Sequence, residues 1–292
     1  MGPKPLSRLR RFQRAVTTEI GVLDDSFLGR GRSLGAARVL NAIGHGCGDV
    51  SALRDYLVLD SGLTSRLLRG LEAEGLIVLS GDPVDGRRRR VALTEAGRAE
   101  FVAYEALSDT RAQALLDRHP RPEALLEAMD LIATAFGRDR ITLEEIDPRD
   151  PKAVFCLGEY YGELSRRFAR GFDVSLSCDP EAEAMIAPRG AFLVAVSDGM
   201  PIGCGGLKGH AGGETAEVKR VWVAPSARGL GLARRLMAAI EARARDLGVV
   251  RLLLDTNSAL PEAVALYRNS GWVEIERFND DPYPDLFFEK RL

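Results

Sequence analysis

The sequence has 292 residues, which suits two domains of about 140 residues each. Its 46% hydrophobic and 28% charged content is typical of a soluble globular protein, and no apolar run reaches the roughly 18 residues of a membrane span. No signal peptide is evident at the start, and four scattered cysteines and three separate histidines form neither a zinc pattern nor a disulfide framework. We therefore expect a cytoplasmic protein without a metal site or a membrane partner.

The charge is distributed unevenly along the chain. Residues 1–90 carry 15 Lys and Arg against 10 Asp and Glu, a net charge of +5. Residues 141–292 carry 19 against 23, a net charge of −4. Because positive potential attracts polyanions, we expect any nucleic-acid partner to bind the N-terminal part.

The N-terminal half is predicted to be mainly helical, with a β-hairpin near its middle. Apolar periodicity, caps such as Asp49 and Thr94, and glycine stops define these elements. The predicted helices cover 7–28, 34–43, 50–57, 63–74, 94–118 and 123–136, and the predicted strands cover 76–79 and 88–93. Two short helices joined by a tight turn and followed by a hairpin are the outline of a winged helix-turn-helix.

The helix predicted over 63–74 would enter the major groove of DNA. We expect its polar side chains to be exposed, and they are of the types that contact bases and phosphates: Ser61, Thr64, Ser65, Arg66 and Arg69. The run Arg87–Arg90 follows the hairpin turn. Alone, such a run more often forms a solvated face, and alternate strand residues face opposite sides. Its position behind a helix-turn-helix favours DNA contact.

Residues 7–137 resemble the MarR family of transcriptional regulators, on the pattern TSRLLRGLEAEGLIV followed by DPVDGRRRRVALTEAGR. The resemblance implies that Arg87 enters the minor groove, steadied by Asp85. Val84 stands where the family often has a basic residue, so this chain departs from the pattern there. The resemblance also implies a homodimer, joined by its first and last helices, that binds double-stranded DNA at a near-palindromic operator.

After residue 138 the pattern changes to alternating strands and helices, so we predict domains over 1–138 and 139–292. The predicted strands cover 141–146, 191–196, 200–207, 215–223, 249–255 and 285–291, and the predicted helices cover 151–170, 180–186, 229–246 and 261–270. This order predicts an α/β (α+β) domain behind a mainly α domain.

The segment RGLGLA, residues 228–233, lies between a predicted strand and a predicted helix. Backbone N–H groups at the positive end of a helix dipole suit phosphate, and Gly229 and Gly231 permit close approach. The segment is not GxxxxGK[ST], and Arg234 occupies the third glycine position of GxGxxG. Taken alone, the pattern is equally compatible with a simple chain reversal.

Residues 141–292 resemble the GNAT N-acetyltransferase superfamily, through Arg228-x-x-Gly231-x-Ala233 with AEVKRVWVAP before it and LLLDTN and PEAVALYRNSGW after it. The resemblance implies a mixed, splayed sheet with acetyl-CoA as co-substrate. It implies pyrophosphate contacts from the backbone of the signature loop, which holds Arg228, Gly229, Leu230, Gly231, Leu232 and Ala233. The pantetheine arm would pair with the strand end at Val221 and Val223.

Direct transfer to an amine needs a base for the amine and an acid for the departing thiolate. The resemblance assigns the acid to Tyr267; a tyrosine at helical spacing with apolar neighbours is otherwise a core residue. Glu217 is the candidate base, and by the two-residue period of a strand it would share a face with Val221 and Val223. A bulge would change that parity, and an ion pair with a neighbouring cation is the alternative role. Asn257 would contact cofactor or cap the next helix.

These observations predict a bifunctional transcriptional regulator and N-acetyltransferase. The alternative is a DNA-binding regulator whose second domain senses acetyl-CoA or another ligand without useful catalysis; a third possibility is a helical half that only dimerises the enzyme. The amine acceptor stays open among small amines, antibiotics, peptides and protein lysines. Acidic residues in loops 171–190 and 276–286 are compatible with a cationic acceptor, but exposed loops are commonly acidic.

Overall fold

The computed structural model describes residues 4–82, 88–176, 182–209 and 213–292. The chain forms two compact units, Met1–Pro122 and Glu123–Leu292. Within the described ranges, every helix is too short or too polar to cross a membrane. The division falls at the start of helix 122–137, of which residues 123–137 belong to the second unit. The domain boundary at residue 138 stays a prediction.

The first unit is a winged helix-turn-helix. Its elements are α1 (Pro5–Ile20), α2 (Leu34–Gly44), α3 (Val50–Leu57), α4 (Ser61–Ala73), β1 (Ile77–Gly81), β2 (Arg89–Leu93) and α5 (Glu95–Asp117). The strands pair antiparallel from Ile77 opposite Leu93 to Gly81 opposite Arg89. The predicted caps form: Asp49 accepts a hydrogen bond from the Ala52 N–H at 2.8 Å, and Thr94 accepts one from the Gly97 N–H at 3.0 Å.

Helix α1 is shorter than predicted. Gly21 follows it in the left-handed conformation, with φ of 71°, and this conformation ends the helix at Ile20. The apolar residues beyond continue the helical spacing in sequence, yet Leu23 is 88% exposed and the chain forms a short 3-10 turn at Phe27–Gly29. The predicted continuation to residue 28 is therefore wrong, because the glycine conformation overrides the apolar period.

The second unit contains helices on both faces of a sheet. Its elements are α6 (Pro122–Gly137), β3 (Thr142–Glu145), α7 (Pro151–Arg167), β4 (Ala191–Ser197), β5 (Met200–Gly209), β6 (Thr215–Val223), α8 (Leu232–Asp246), β7 (Arg251–Thr256), α9 (Pro261–Arg268), β8 (Val273–Ile275) and β9 (Leu286–Arg291). Within the described part of the helix predicted over 180–186, the chain forms a single 3-10 turn, Ala182–Met185. The three-residue strand β8 was not predicted.

The seven-stranded sheet has the order β3-β4-β5-β6-β7-β9-β8. Strands β6 and β7 pair in parallel, whereas the other neighbours pair antiparallel. The parallel pairing runs from Thr215 opposite Arg251 to Val218 opposite Leu254 and stops there, although both strands continue. The mixed, splayed sheet predicted from the sequence is confirmed.

The sheet separates two cores. Helices α8 and α9 pack on one face, where Leu236, Ile240 and Val264 join the largest cluster of buried residues. Helix α7 packs on the other face, where Cys156 lies with Trp222. Burial on both faces explains why strand β4 is a continuous apolar run rather than an alternating one.

Candidate functional site

A wedge-shaped cleft lies where β6 and β7 separate. One wall is the end of β6, residues 219–221, and the other is the end of β7 with the residue after it, 255–257. Tyr267 on α9 lines the same cleft. The wedge exists because backbone groups beyond Val218 have no pairing partner on the neighbouring parallel strand.

A β-bulge in β6 lies beside this cleft. Its register against β5 shifts at Arg220, a non-glycine residue with φ of 56°. Before the bulge Val218 packs with the α8 core, and after it Val221 and Val223 do so. The expectation that Glu217 shares a face with Val221 and Val223 is therefore wrong, because the bulge reverses the alternation of the strand.

Glu217 and its neighbours form a charged network on the face away from α8. The Lys219 Nζ donates to Asp255 Oδ2 at 2.6 Å and lies 3.5 Å from Glu217 Oε2, and Lys208 Nζ approaches Glu217 at 3.6 Å. Burial disfavours the charged form of Lys219, but the Asp255 carboxylate outweighs it and raises the pKa of that ammonium. The ion-pair alternative for Glu217 is thus present, and its role as base stays a prediction.

Asp255 receives a second hydrogen bond, from Asn279 Nδ2 at 2.6 Å, so the network joins β6, β7 and the segment before β9. Its carboxylate lines the cleft, a role that the sequence alone did not suggest. Among the described residues, no three His, Cys, Asp or Glu side chains converge as metal ligands.

Tyr267 is a core residue that also lines the cleft, where the resemblance assigns the acid. Its side chain is buried, with ring contacts to Trp272 at 6.1 Å and Phe288 at 5.9 Å between centroids. Burial, followed by the negative charge of Asp255, raises the pKa of the Tyr267 phenol above its ordinary value of 10. The phenol therefore stays protonated near neutral pH, as a proton donor must.

The loop before α8 holds its two glycines in the left-handed conformation. Gly229 has φ of 77° and Gly231 has φ of 78°, and a Cβ added at either would meet nothing within 4 Å. Gly231 is the N-cap residue of α8, and no side chain in the described parts of the chain caps that end. Leu232 is buried, so it can offer a ligand backbone atoms alone, next to Ala233 in the first turn. Leu230 is half-buried.

The Arg228 side chain is exposed, but hydrogen bonds hold it against the body of the domain. Its Nε donates to the Val223 carbonyl at 3.1 Å, and its Nη2 pairs with Glu163 of α7 at 2.5 Å. Glu163 also accepts from Arg167 at 3.1 Å and from the Trp222 indole at 3.1 Å. Burial works against the charge on Glu163, but these hydrogen bonds prevail and lower its pKa. Arg228 thus ties the loop to α7, a partner that its place in the signature does not reveal.

Asn257 lies at the end of β7 and lines the cleft. Its Nδ2 donates to the Tyr283 carbonyl at 2.6 Å, and its Oδ1 accepts from the Ala259 N–H at 2.8 Å. The N-cap residue of α9 is Leu260, so Asn257 orders the preceding turn rather than capping the helix itself. Contact with a cofactor stays a prediction.

Aromatic side chains form the wall of the cleft opposite the strand ends. We call this set the aromatic wall; its members are Tyr160, Tyr161, Phe168, Phe172 and Tyr283. Sequence reasoning missed it, since four members come from α7 and the residues after it and the fifth precedes β9, more than 100 residues later. The local sequence carried no signal that would join them.

The predicted DNA-reading helix is α4. Ser61, Ser65, Arg66 and Arg69 are exposed on it, and Arg69 Nε donates to the Ser65 carbonyl at 3.2 Å. Thr64 is the exception. It is buried, and its hydroxyl donates to the Asp60 carbonyl at 2.8 Å, so the expectation that it is exposed is wrong.

The structure describes some of the predicted wing residues and not others. Asp85 and Arg87 lie outside the described residues, so their predicted DNA contacts have no structural counterpart here. Arg88, Arg89 and Arg90 are exposed, and Arg90 lies 3.7 Å from Asp82 at the base of the hairpin.

Comparison with known proteins finds two families in this chain. Residues 159–272 match the acetyltransferase (GNAT) family, and residues 30–88 match the MarR family. The chain is 40% identical over 116 residues to the IAA acetyltransferase of Azospirillum brasilense, covering 38% of this chain and 74% of that protein. It is 28% identical over 143 residues to the uncharacterized N-acetyltransferase YjgM of Escherichia coli (strain K12), covering 47% of this chain and 81% of that protein.

Among solved structures, the chain is similar to Streptococcus pneumoniae FabT, crystallised in complex with DNA. The sequence identity is 16%, the TM-score is 0.40, and the match covers 46% of this chain and 98% of that one. Both resemblances stated from the sequence agree with the family matches. The chain belongs to the GNAT acetyltransferase family, and it carries a MarR-family regulator domain ahead of the acetyltransferase domain.

Proposed function

We propose that the second domain, over 139–292, transfers an acetyl group from acetyl-CoA to an amine by direct attack. The observation that carries this proposal is the wedge between β6 and β7, which opens beside Tyr267. Helix α8 follows β6, and no described side chain caps its start. Acetyl-CoA supplies the activated acyl thioester. The protein must bind the anionic pyrophosphate and the extended pantetheine arm of acetyl-CoA and admit the amine. It must also accept a proton from the amine and donate one to the departing thiolate.

The residues of the wedge fit the shape of such a co-substrate. Backbone N–H groups from Gly229 to Ala233 lie at the positive end of the α8 dipole, which suits a pyrophosphate. The open space beside the two left-handed glycines leaves room for it. Val221 and Val223 lie where β6 has no strand partner on the β7 side, so their backbone groups suit an extended pantetheine arm.

Two side chains carry the proposed proton transfers. Tyr267, protonated because burial raises its pKa, donates to the departing thiolate. Glu217 accepts a proton from the amine through water. Asp255 holds Lys219 beside it and thereby positions Glu217 between two ammonium groups.

The test is a mass-spectrometric screen of amines with acetyl-CoA, using the unaltered chain and Tyr267→Phe. We expect Tyr267→Phe to lower kcat about 100-fold, the usual lower bound for general acid catalysis, with KM for acetyl-CoA within about twofold. As an acid, Tyr267 acts while protonated, and because its pKa is raised above the ordinary tyrosine value of about 10, its contribution is lost only at a pH above that ordinary value. A normal kcat in Tyr267→Phe would remove this role. Acetyl-CoA binding without turnover would favour the sensor alternative.

We propose that the first domain, over 1–138, binds double-stranded DNA as a homodimer on a near-palindromic operator, in the cytoplasm. Supporting observations are the net charge of +5 over residues 1–90 and the exposed Arg66 and Arg69 of α4. Helix α1 buries none of its residues, and Leu6 and Leu9 are exposed on it, which suits a face covered by a second copy.

Sedimentation and DNA titration at several salt concentrations test this part. A dimer with steeply salt-dependent, sequence-selective binding is the expected result, because each neutralised phosphate releases counterions. A chain that dimerises without binding DNA would reduce the helical half to an assembly module. If acetyl-CoA changes operator affinity, DNA must change acetyl-CoA affinity by the same factor.

A further inference from the structure

The aromatic wall is a dense and ordered surface inside the cleft. Of the eighteen described residues that line the cleft, six are aromatic, Tyr267 included, whereas 7% of the whole chain is aromatic. The Phe172 and Tyr283 rings lie 4.6 Å apart, Tyr161 stacks on Phe172 at 5.7 Å, and Phe168 stacks on Tyr283 at 6.1 Å. Such an enrichment marks a built surface rather than a chance grouping.

The wall is held in place and yet remains half-buried. The Tyr283 hydroxyl accepts from the Asp173 N–H at 2.8 Å and donates to the Asp173 carbonyl at 3.1 Å, which joins the segment after α7 to the segment before β9. Phe168, Phe172 and Tyr283 each keep part of their surface exposed. A fixed aromatic surface that borders a cleft offers ring faces to a ligand.

The position of the wall fits the acceptor rather than the acyl donor. The RGLGLA loop, where the pyrophosphate is proposed to bind, leads into α8 on the sheet face that carries Val221 and Val223. The wall belongs to α7 and to the segment before β9, and α7 packs on the opposite face. An amine whose nitrogen reaches the wedge near Tyr267 and Asp255 would therefore extend its remaining atoms along the wall.

We propose that the aromatic wall is the acceptor subsite, and that the acceptor is a primary amine carrying an aromatic ring a few bonds from its nitrogen. This inference rests on the proposed acetyltransferase activity. Stacked and edge-to-face ring contacts favour a flat aromatic group over a saturated group of similar size, by roughly three- to tenfold in affinity.

The charges of the cleft argue against a polycation as the acceptor. Among the residues that the structure describes, the charged ones lining the cleft are Lys219, Arg220, Asp255 and Asp281, which cancel to no net charge. Asp255, the carboxylate nearest the strand ends, is already engaged by Lys219 at 2.6 Å. A single ammonium group can approach a ring face, but a second one would find no surplus of negative charge.

The experiment compares three probes with the full-length chain and acetyl-CoA: 2-phenylethylamine, 2-cyclohexylethylamine and 1,4-diaminobutane. We expect kcat/KM to be about tenfold higher for the phenyl compound than for the cyclohexyl compound. Phe172→Leu, which keeps apolar volume but removes a ring, should erase this preference by lowering the phenyl value alone. Phe155→Leu is the matched control, because Phe155 is an exposed phenylalanine of α7 outside the cleft.

A binding measurement separates this inference from the activity on which it rests. Saturation-transfer NMR follows 2-phenylethylamine on the chain loaded with CoA, and calorimetry follows CoA itself. A ring signal in the unaltered chain and in Phe155→Leu that is lost in Phe172→Leu supports the subsite, even without turnover. Equal values for the phenyl and cyclohexyl amines, a preference for the diamine, or no ring signal would overturn it. Failure of CoA to bind would count against the proposed function instead.

Discussion

The two helices that carry the proposed ligand contacts begin in opposite ways. Helix α4 starts behind Asp60, whose Oδ1 accepts from the Leu63 N–H at 2.8 Å. Helix α8 starts behind Gly231 in the left-handed conformation, and no side chain of the described residues caps it. The first turn of a helix leaves four N–H groups without intrahelical partners. In α4 the Asp60 side chain accepts from one of these N–H groups, whereas in α8 we propose that the ligand does so.

This difference indicates which atoms recognise the ligand in each case. The N-terminal end of α4 is capped by Asp60, and the atoms that we propose contact DNA belong to its exposed side chains, such as Arg66 and Arg69. The open end of α8 presents backbone N–H groups, and Leu232 turns its side chain into the core. We therefore expect α4 to contact its ligand through side chains and α8 to contact its ligand through backbone N–H groups and the helix dipole.

Placing a carboxylate at the uncapped start of α8 should give the largest effect, a weakening of acetyl-CoA binding. Gly231→Asp places a carboxylate where the pyrophosphate is proposed to bind, and aspartate tolerates the left-handed conformation better than most residues. We expect the Kd for acetyl-CoA to rise about 100-fold, because charge-assisted hydrogen bonds are lost and like charges repel. Gly231→Asn, which adds the same bulk without charge, should raise the Kd for acetyl-CoA by a smaller factor. Isothermal calorimetry measures both.

Gly248 supplies the control for this substitution. It also has a left-handed φ of 79° with nothing within 4 Å of an added Cβ, but it lies after the other end of α8. Gly248→Asp should therefore carry the same backbone strain and leave the Kd for acetyl-CoA unchanged. If Gly248→Asp weakens binding as much as Gly231→Asp, strain and not the open end accounts for the loss.

Helix starts with a side-chain cap were predictable from the sequence, because Asp49 and Thr94 act within four residues of their own position. The helix predicted over 229–246 instead begins at Leu232, behind Gly231. The bulge at Arg220 was not predictable in this way, since its left-handed φ of 56° falls on an arginine and not on a glycine. It reflects the pairing of β6 with β5, which is a tertiary effect.

Removing an arginine side chain from α4, the helix capped by Asp60, should give the second-largest effect, a loss of DNA affinity. Arg66→Ala deletes an exposed guanidinium from α4 without touching the cap. We expect DNA affinity to fall about tenfold, and a loss of about one in the salt slope if Arg66 contacts phosphate. A duplex selected from a random-sequence pool with the unaltered chain serves as the probe in fluorescence anisotropy. Arg54→Ala on α3 is a matched loss of charge, and an equal fall there would mean a purely non-specific effect.

The cleft was less predictable than the helix ends. Tyr267 and the loop residues could be named from local motifs, and each borders the wedge or its helix. The aromatic wall and the Asp255–Lys219 pair depend on strands and loops that meet only in the fold. Burial of Thr64 shows the same limit in α4, where one step around the helix separates a DNA-facing position from a core position.

Removing the Asp60 cap from the start of α4 should give the smallest effect, a loss of stability in the first unit, and it completes the comparison of the two helix starts. Asp60→Ala removes the cap of α4 and should cost about 1 kcal/mol in the stability of the first unit, or roughly 4 °C in its thermal transition. Asp60→Asn keeps the capping oxygen and removes the charge, so it should stay close to the unaltered chain. Differential scanning calorimetry reads the transition, and the Kd for acetyl-CoA should not change in either variant. If both substitutions lower the transition equally, the charge of Asp60 stabilises α4 rather than its hydrogen bond, and the contrast with Gly231 reduces to electrostatics alone.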